Sequence, residues 1–263
     1  MSVYNGQDCV KNAIDSILNQ SPRDFEFIIV NDGSTDDSLT ILKSFKDDRI
    51  IVIDQENIGL TKSLNKALGR VTSKYVARID ADDTSYKERL QLQYDYMENN
   101  QSVVVLGTKG LIIGKNGHIV CDFYTKDQIK KVINYKNPLI HSSVMIRYDE
   151  FKKIGFYNEH FKTTQDYEAW VRMIDLGNIE MIDKVLIERN MSSNTVSRKN
   201  PFFQSYNSFK IKSRKINIFH NLGLLFYQLS NNLLGETGIF FLKKYIPKYI
   251  ITMIKRTLFK QKF

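Results

Sequence analysis

The sequence Tyr75-Val76-Ala77-Arg78-Ile79-Asp80-Ala81-Asp82-Asp83 places three carboxylates directly after a short apolar run. The run predicts a buried strand, and such strands do not ordinarily end in neighbouring like charges. Two carboxylates about 4 Å apart repel each other by about 1 kcal/mol in water and by about 4 kcal/mol at an effective dielectric constant near 20. A hard divalent cation would offset this repulsion, because such ions prefer oxygen ligands. The alternative is a solvated turn whose aspartates cap a helix that begins near Ser85.

Predicted strands and helices alternate before this stretch. The apolar pattern predicts a helix over residues 7–20, a strand over 25–30, a helix with Leu39, Leu42 and Phe45 inward, a strand over 49–53 and a helix from Leu60 to Val71. This alternation predicts an α/β protein with a mostly parallel central sheet flanked by helices. Ligands of such sheets bind beyond the carboxyl ends of the strands. Asp32 and Asp80 both lie there, so we expect them to share one site.

The pattern changes after residue 100. Short strands are predicted over residues 102–106 and 111–113, and 118–121 completes a hairpin turned by Gly114-Lys115-Asn116-Gly117. A strand near 142–146, a helix over 165–176 and one or two strands within 179–190 follow. We expect one catalytic-type domain over residues 1–198 and a separate tail over residues 199–263.

Composition narrows the kinds of site that the chain can carry. The 263 residues are 42% hydrophobic and 25% charged, as in an ordinary globular protein. Cys9 and Cys121 form no CxxC pair, and the four histidines show no HExxH spacing. We therefore expect a protein of the reducing cytosol, with any metal ion held by carboxylates.

The positive charge lies in the tail. Thirteen Lys and Arg residues and one acid, Glu236, lie between Arg198 and the C-terminus, a formal charge of +12 in a chain that totals +9. A helical stripe of apolar residues with lysines on another face predicts a basic amphipathic helix within 201–263. Such a helix binds an anionic membrane surface; the alternative is an appendage packed on its own domain. We expect a cytoplasmic protein, peripheral on the inner face of the membrane, without a signal peptide or membrane span. Nucleic acid is not an expected partner.

Several common nucleotide and hydrolase motifs are absent from the sequence. It has no GxGxxG, and Gly59-Leu60-Thr61-Lys62-Ser63 lacks the spacing of a P-loop. It has no GxSxG nucleophile elbow. The sequence therefore does not favour a dinucleotide-binding, P-loop or serine hydrolase enzyme.

An ordered set of polar motifs extends over about 170 residues. The set comprises Tyr4-Asn5, Asn31-Asp32-Gly33-Ser34-Thr35-Asp36, Asn57-Ile58-Gly59, Asp80-Ala81-Asp82-Asp83, His141 and Gln165-Asp166-Tyr167-Glu168. This order resembles the family 2 glycosyltransferases, inverting enzymes of the GT-A fold that use nucleotide-diphosphate sugars. The resemblance covers residues 1–190.

The resemblance implies a binding site for a sugar nucleotide, with UDP the expected nucleotide. Tyr4 would stack on the base, and Asp32 would bind the base or the ribose. Asp80 would bind the ribose or the water shell of the metal ion. His141 would lie near the acceptor or the phosphates.

The resemblance also implies a metal ion and a catalytic base. Asp82, with Asp80, would hold Mn²⁺ or Mg²⁺ against the diphosphate. Asp166 would be the general base that takes a proton from the acceptor hydroxyl. From the sequence alone, Asp166 has a simpler role, since an acid early in a helix favours the macrodipole by about 0.3–1 kcal/mol.

Three departures from the family pattern bear on function. The first strand is expected to be missing, because only Met1-Ser2-Val3 precedes Tyr4. Gln165 stands where an acid often precedes the base, and Leu64 stands where relatives often have Arg. The Gln-x-x-Arg-Trp motif of processive synthases is absent, which favours addition of a single sugar.

The expected activity is therefore transfer of one sugar to a glycan acceptor, lipid-linked, in capsule or O-antigen biosynthesis. Two alternatives stay open. One is a catalytically impaired sugar-nucleotide-binding scaffold at the membrane, and the other is a nucleotidyltransferase.

Overall fold

The computed structural model describes residues 1–21, 24–114 and 117–190, together with Asn207, Ser208 and Ile211. The chain divides into two compact units, Met1–Ser192 and Ser193–Phe263. The predicted boundary at residue 198 and the predicted amphipathic tail lie outside the described residues. Within the described part, no helix combines the length and apolar character needed to cross a membrane.

The first sheet contains three parallel strands. They are β1 (Ser2–Val3), β2 (Phe27–Asp32) and β3 (Ile50–Gln55), in the order β1-β2-β3. The connections carry α1 (Val10–Leu18) and α2 (Ser38–Ser44), and α3 (Leu60–Leu68) follows β3. The predicted alternation of parallel strands and helices is confirmed for this part of the chain.

The first strand is not missing, contrary to expectation. Ser2 and Val3 pair with Val30 and Asn31 of β2, so β1 is present but only two residues long. Val3 is buried in the apolar cluster of this sheet, which explains why so short a strand stays in register.

The second sheet is mixed and contains six strands. They are β4 (Tyr75–Ala77), β5 (Asp83–Ser85), β6 (Val103–Gly114), β7 (Gly117–Val120), β8 (Met145–Arg147) and β9 (Asn178–Asn190). Their order is β4-β8-β6-β9-β5, and β7 pairs with β6 as the predicted hairpin. β6 and β9 are parallel, while the other pairs are antiparallel. Four helices accompany this sheet: α4 (Arg89–Asn99), α5 (Lys126–Val132), α6 (Tyr148–Lys153) and α7 (Gln165–Met173).

Residues 178–190 form the single strand β9, in agreement with the one or two strands predicted there. Three other local predictions were wrong. The two strands predicted over 102–113 are one continuous strand, β6. The predicted helix near Ser85 begins at Arg89 without a side-chain cap. Asp83 instead opens β5, where it pairs with Arg189 of β9. The interpretation of the aspartates as helix caps is therefore wrong.

Apolar side chains join the helices to the sheets as the sequence periodicity predicts. The buried face of α1 consists of Val10, Ala13, Ile14 and Ile17, which pack with Ile29 of β2. Full burial of one such aliphatic side chain contributes about 1.5–3 kcal/mol. This packing fixes the carboxyl ends of the first-sheet strands, where the polar turns begin.

A cavity of about 570 Å³ is lined both by β2 and by β4. Its lining includes Met1, Ile28, Val76 and Arg78. The N-terminal ammonium of Met1 donates to the Ile28 carbonyl at 2.9 Å, and burial and the charge of Arg78 lower the pKa of that ammonium to about 5. The Nε and Nη2 atoms of the buried Arg78 have no hydrogen-bond partner.

Candidate functional site

Three carboxylates converge at the end of β4. Carboxylate oxygens of Asp80, Asp82 and Asp83 lie within 4.8 Å of one another. The chain holds them together because Asp80 and Asp82 lie in the turn after β4 while Asp83 begins β5. The three neighbouring carboxylates of the sequence therefore do cluster in the structure.

Asp80 is held in its ionised form by two neighbours. Arg78 forms an ion pair with it, and the hydroxyl of Ser142 donates to its Oδ2 atom at 2.8 Å. The backbone N–H of Asp80 donates in turn to Ser142 Oγ at 3.1 Å. Burial opposes ionisation, but the charge of Arg78, the nearby His141 and the hydrogen bonds from Arg78 and Ser142 together outweigh it, so the pKa of Asp80 lies well below its ordinary value.

The pKa values of the other two carboxylates in the cluster are shifted in the opposite direction. Burial and the negative charge of Asp80 raise the pKa of both Asp82 and Asp83. Asp83 is only 1% exposed, and neither of its carboxylate oxygens accepts a well-formed hydrogen bond, although Ser142 lies close enough to favour its ionised form. A buried carboxylate without partners is costly. These oxygens fit a hard divalent cation, which would satisfy them and offset the repulsion within the cluster.

Tyr4 lies on a loop that is tied to the turn after β2. Asn5 takes a left-handed conformation with φ of 50°; its N–H donates to Ser34 Oγ at 3.1 Å, and its Oδ1 accepts from the N–H of Thr35 at 2.8 Å. The N–H of Gly6 donates to Ser38 Oγ at 2.8 Å. Tyr4 is 55% exposed, so its aromatic ring is available for stacking.

Asp32 is buried, and its carboxylate accepts hydrogen bonds from other residues of the same chain. Its Oδ1 accepts from Gln55 Nε2 and from the N–H of Ile58, both at 2.9 Å, and its Oδ2 accepts from the N–H of Gly59 at 3.0 Å. Asp32 therefore anchors the Asn57-Ile58-Gly59 loop to the end of β2. Any contact with a nucleotide would use the acceptor capacity that remains on this carboxylate.

His141 lies in an aromatic cluster. Its Nε2 atom and the hydroxyl of Tyr157 are hydrogen-bonded at 2.7 Å, and its ring makes edge contacts with Tyr157 and Trp170 at centroid distances of 5.4 and 6.1 Å. Burial, helped by the charge of Arg78, lowers the pKa of His141 well below its ordinary value. The imidazole is therefore neutral at pH 7.

Asp166 is the second residue of α7. Thr164, which precedes the helix, takes a left-handed φ of 61°. The side-chain amide of Asn137 donates to Asp166 Oδ2 at 2.6 Å. Asp166 is half-buried, and the desolvation of its carboxylate raises its pKa despite hydrogen bonds from the N–H of Tyr167 and from Asn137. A carboxylate with a raised pKa is a stronger base once it is ionised.

Electrostatic interactions show which of these groups lie together. The charges of Arg78 and Asp80 both shift the pKa of Asp166 and of His141. Burial, then Asp82, and less strongly Asp36, raise the pKa of Cys9 to about 11, so Cys9 lies near both the carboxylate cluster and the turn after β2. The structure thus brings Asp80, His141 and Asp166 into one neighbourhood, whereas the contribution of Tyr4 and Asp32 to the same site stays a prediction.

The sequence did not single out Asn137, Ser142 or Tyr157, nor the role of Arg78 beside Asp80. Asn137 and Ser142 contact Asp166 and Asp80 across 29 and 62 residues. Contacts of that separation leave no local periodicity. The available signals were the position of Arg78 two residues before Asp80 and that of Ser142 directly after His141.

Comparison with known sequences identifies relatives of one kind. The family model "Glycosyl transferase family 2" matches residues 1–155. An uncharacterized glycosyltransferase of Methanocaldococcus jannaschii, MJ1057, is 38% identical over 183 residues, which cover 66% of this chain and 63% of that protein. The O-antigen biosynthesis glycosyltransferase WbnJ of Escherichia coli is 33% identical over 182 residues, which cover 66% of this chain and 70% of WbnJ. The match thus spans less than two thirds of the archaeal relative.

Solved structures share the fold at low sequence identity. S. aureus TarS in complex with UDP-GlcNAc has a TM-score of 0.67 at 19% identity, over 87% of this chain and 70% of that one. The mannosyltransferase PcManGT of Pyrobaculum calidifontis, in complex with GDP-Man and Mn²⁺, has a TM-score of 0.66 at 13% identity, over 100% and 79%. The structural neighbours support the predicted α/β fold of GT-A type. Because the family model covers more than half of the chain, this protein belongs to glycosyl transferase family 2.

Proposed function

We propose that this chain is an inverting glycosyltransferase that moves one sugar from a UDP-sugar to a glycan acceptor. The observation that carries the proposal is the presence of two separate acidic groups in one neighbourhood. One is the cluster of Asp80, Asp82 and Asp83, and the other is Asp166 at the start of α7. The first suits a metal-bound diphosphate, and the second suits a proton acceptor.

We assign binding of the sugar-nucleotide donor to the loop that carries Tyr4, to the turn after β2 and to the cluster of Asp80, Asp82 and Asp83. The exposed ring of Tyr4 stacks on the base, a contact worth about 1–3 kcal/mol in nucleic-acid complexes. Asp80 faces the ribose or the water shell of the ion, and Asp32 approaches the base or ribose while it anchors its loop. The choice of UDP is supported by the UDP-GlcNAc complex of TarS, whereas PcManGT carries GDP-Man. UDP and GDP are therefore the two nucleotides to compare.

The proposed cofactor is Mn²⁺ or Mg²⁺, held by Asp82 and Asp80. Asp83, the third carboxylate of this stretch, adds an oxygen ligand beyond the two that the family resemblance implies, because its buried carboxylate otherwise lacks well-formed hydrogen bonds. When bound, the ion supplies Lewis-acid stabilisation of the negative charge that develops on the diphosphate leaving group.

On the acceptor side, Asp166 takes the hydroxyl proton. As that proton moves to the carboxylate, the acceptor oxygen bonds to the anomeric carbon, and the bond from that carbon to the diphosphate oxygen breaks. Attack from the face opposite the leaving group inverts the configuration. Neutral His141, hydrogen-bonded to Tyr157, lines the same region without adding charge.

The acceptor is proposed to be a lipid-linked glycan of surface polysaccharide biosynthesis. The similarity to WbnJ, which is named for O-antigen biosynthesis, supports this class. The basic segment 201–263 would hold the enzyme on the cytoplasmic face of an anionic membrane. Deleting residues 201–263 should release the protein from anionic vesicles, and unchanged vesicle binding at low salt would refute that role.

The test of the proposed function is Asp166→Asn, assayed with UDP-sugars and lipid-linked glycan extracts. An amide cannot accept the proton, so transfer should fall by about 10²- to 10⁴-fold while UDP binding is retained. Equal transfer by both proteins would remove Asp166 as the base. UDP binding without transfer by the unsubstituted chain, whatever the extract, would favour the scaffold alternative.

A further inference from the structure

Asn137 contacts the carboxylate of Asp166 from a different part of the chain. Its Nδ2 atom lies 2.6 Å from Asp166 Oδ2, just below the usual range for an N–H donor and an ionised oxygen. Asn137 follows α5 by five residues and lies outside every motif of the family resemblance. It therefore needs an explanation of its own.

The amide of Asn137 is oriented by its own loop. Its Oδ1 accepts the N–H of Leu139 at 3.1 Å, so the Nδ2 atom is the one that faces Asp166. Pro138 restricts the backbone of the preceding residue to extended conformations. The donor is thus aimed at the carboxylate before any ligand binds.

The loop that carries Asn137 is packed firmly on β6. Pro138 and Leu139 are buried, and Leu139 lies against Gly107, where an added Cβ would come within 2.8 Å of Leu139 Cδ2. Ile140 lies still closer to Gly110. These two glycines let the loop approach the strand, which fixes the position of Asn137 relative to α7.

We propose that Asn137 is a positioning residue that holds the carboxylate of Asp166 toward the acceptor hydroxyl and favours its ionised form. The inference rests on the proposed function, because it assumes that Asp166 is the base. Asn137 itself touches neither donor nor acceptor in this assignment; it acts through Asp166.

The charged surroundings of Asp166 define what Asn137 adds. Burial raises the pKa of Asp166, and Asp80 raises it further, while Arg78 and the N–H of Tyr167 lower it together with Asn137. The hydroxyl of Tyr157, whose own pKa is raised by burial, stays neutral beside it. Loss of the Asn137 donor therefore raises the pKa of Asp166, and transfer is lost at a higher pH as the solution is acidified.

The experiment compares three substitutions by the pH dependence of kcat/KM for sugar transfer, at one fixed metal concentration. Asn137→Asp keeps the shape and an acceptor for Leu139, but replaces the donor by a second carboxylate. Asn137→Ser shortens the side chain and removes the contact. Asn134→Asp is the matched control, since the side-chain amide of Asn134 donates to the backbone carbonyl of Lys130, at 3.1 Å, and not to Asp166.

The acid limb should move to higher pH by about one unit in Asn137→Ser, the shift that corresponds to one hydrogen bond to a charged group. It should move further in Asn137→Asp, because two adjacent carboxylates oppose each other's ionisation. Transfer at pH 7 should fall by about tenfold or more in Asn137→Asp, with UDP affinity unchanged. Asn134→Asp should match the unsubstituted protein.

An unmoved acid limb in both Asn137 variants would overturn the inference, and so would an activity loss that is equal at every pH. Thermal unfolding of each variant shows whether the folded protein is being assayed. Asn137→Asp keeps the oxygen that accepts from the N–H of Leu139, so the fold of this loop should be retained.

The Asp166→Asn variant distinguishes a failure of the proposed base from a failure of the positioning role. Full transfer by Asp166→Asn contradicts the proposed base, whereas loss of transfer there with unshifted Asn137 variants contradicts the positioning role alone.

Discussion

The carboxylate of Asp32 accepts hydrogen bonds from Gln55, Ile58 and Gly59, all within its own chain. The family resemblance assigns this residue to the nucleotide, yet the structure gives it a second task, anchoring the 57–59 loop beside the site. One side chain thus connects the end of β2 to the loop that starts α3. A substitution here should affect stability as well as binding.

We predict that Asp32→Asn lowers the free energy of unfolding by about 1–3 kcal/mol, because an amide nitrogen would face backbone donors that now bond a carboxylate. Denaturant unfolding measures the change. Asp54→Asn is the control, since Asp54 is exposed at the end of β3 and accepts from Asn31 Nδ2 at 2.7 Å, a bond that an amide oxygen keeps. Equal stability of Asp32→Asn and Asp54→Asn would contradict the anchoring role.

At the scale of residues, the site could be predicted from the sequence where its members lie close together along the chain. Asp80 and Asp82 lie two residues apart after an apolar run, and they do cluster. Asn137 could not be predicted, because its contact with Asp166 depends on how a loop packs over β6. The same holds for Ser142, whose hydroxyl meets Asp80 across two elements of the second sheet.

At the scale of elements, the strand–helix alternation of the first hundred residues was predictable, but β6 was not. Gly107 and Gly110 interrupt the β-branched pattern, so the sequence predicts two short strands instead of one of twelve residues. Both glycines are needed for the close approach of the loop at Leu139 and Ile140. The two glycines that permit this tertiary contact therefore also weaken the sequence pattern that would predict a continuous strand.

The cavity between β2 and β4 is a feature that no sequence pattern indicated. The register of β1 on β2 places a residue joined before Met1 opposite Ile28, and the one before that opposite Phe27. Both of those β2 residues line the cavity, as does Arg78 with its two unpartnered donors. A short extended segment at this position would supply carbonyl acceptors and apolar side chains.

We predict that fusing Val-Ile-Ile directly before Met1 raises the thermal midpoint, because the added residues extend β1 and fill the cavity. Differential scanning calorimetry compares this protein with one carrying Gly-Ser-Gly at the same place. The apolar extension should be the more stable by several degrees, since about 1 kcal/mol shifts the midpoint by about 2–4 °C at this size. Identical midpoints for the two extensions would show that the cavity does not accept a strand.

At the scale of the whole molecule, the positive charge lies in a different part of the sequence from the residues of the candidate site. The part that carries the site has a small net negative charge in its first 197 residues, and the segment from Arg198 carries +12. The alternation of strands and helices was enough to predict the fold class, and the ordered set of polar motifs, through its resemblance to known enzymes, was enough to predict the family. The arrangement of Asp166 relative to the Asp80 cluster could not be predicted, because it depends on the order β4-β8-β6-β9-β5 in the second sheet.

We propose that this fold binds a nucleoside diphosphate through a divalent ion held by Asp80, Asp82 and Asp83, and that the catalytic base Asp166 takes no part in this binding. The most direct measurement is calorimetric titration of UDP, with and without Mn²⁺, into the unsubstituted chain, Asp82→Asn and Asp166→Asn, with GDP as the comparison nucleotide.

We predict that UDP binds only when Mn²⁺ is present, that Asp82→Asn abolishes this binding, and that Asp166→Asn preserves it. Preference for GDP under the same conditions would change the proposed donor and leave the proposed metal site in place. UDP binding that is independent of Mn²⁺ and unaffected by Asp82→Asn would show that the carboxylate cluster does not bind the diphosphate through a metal ion.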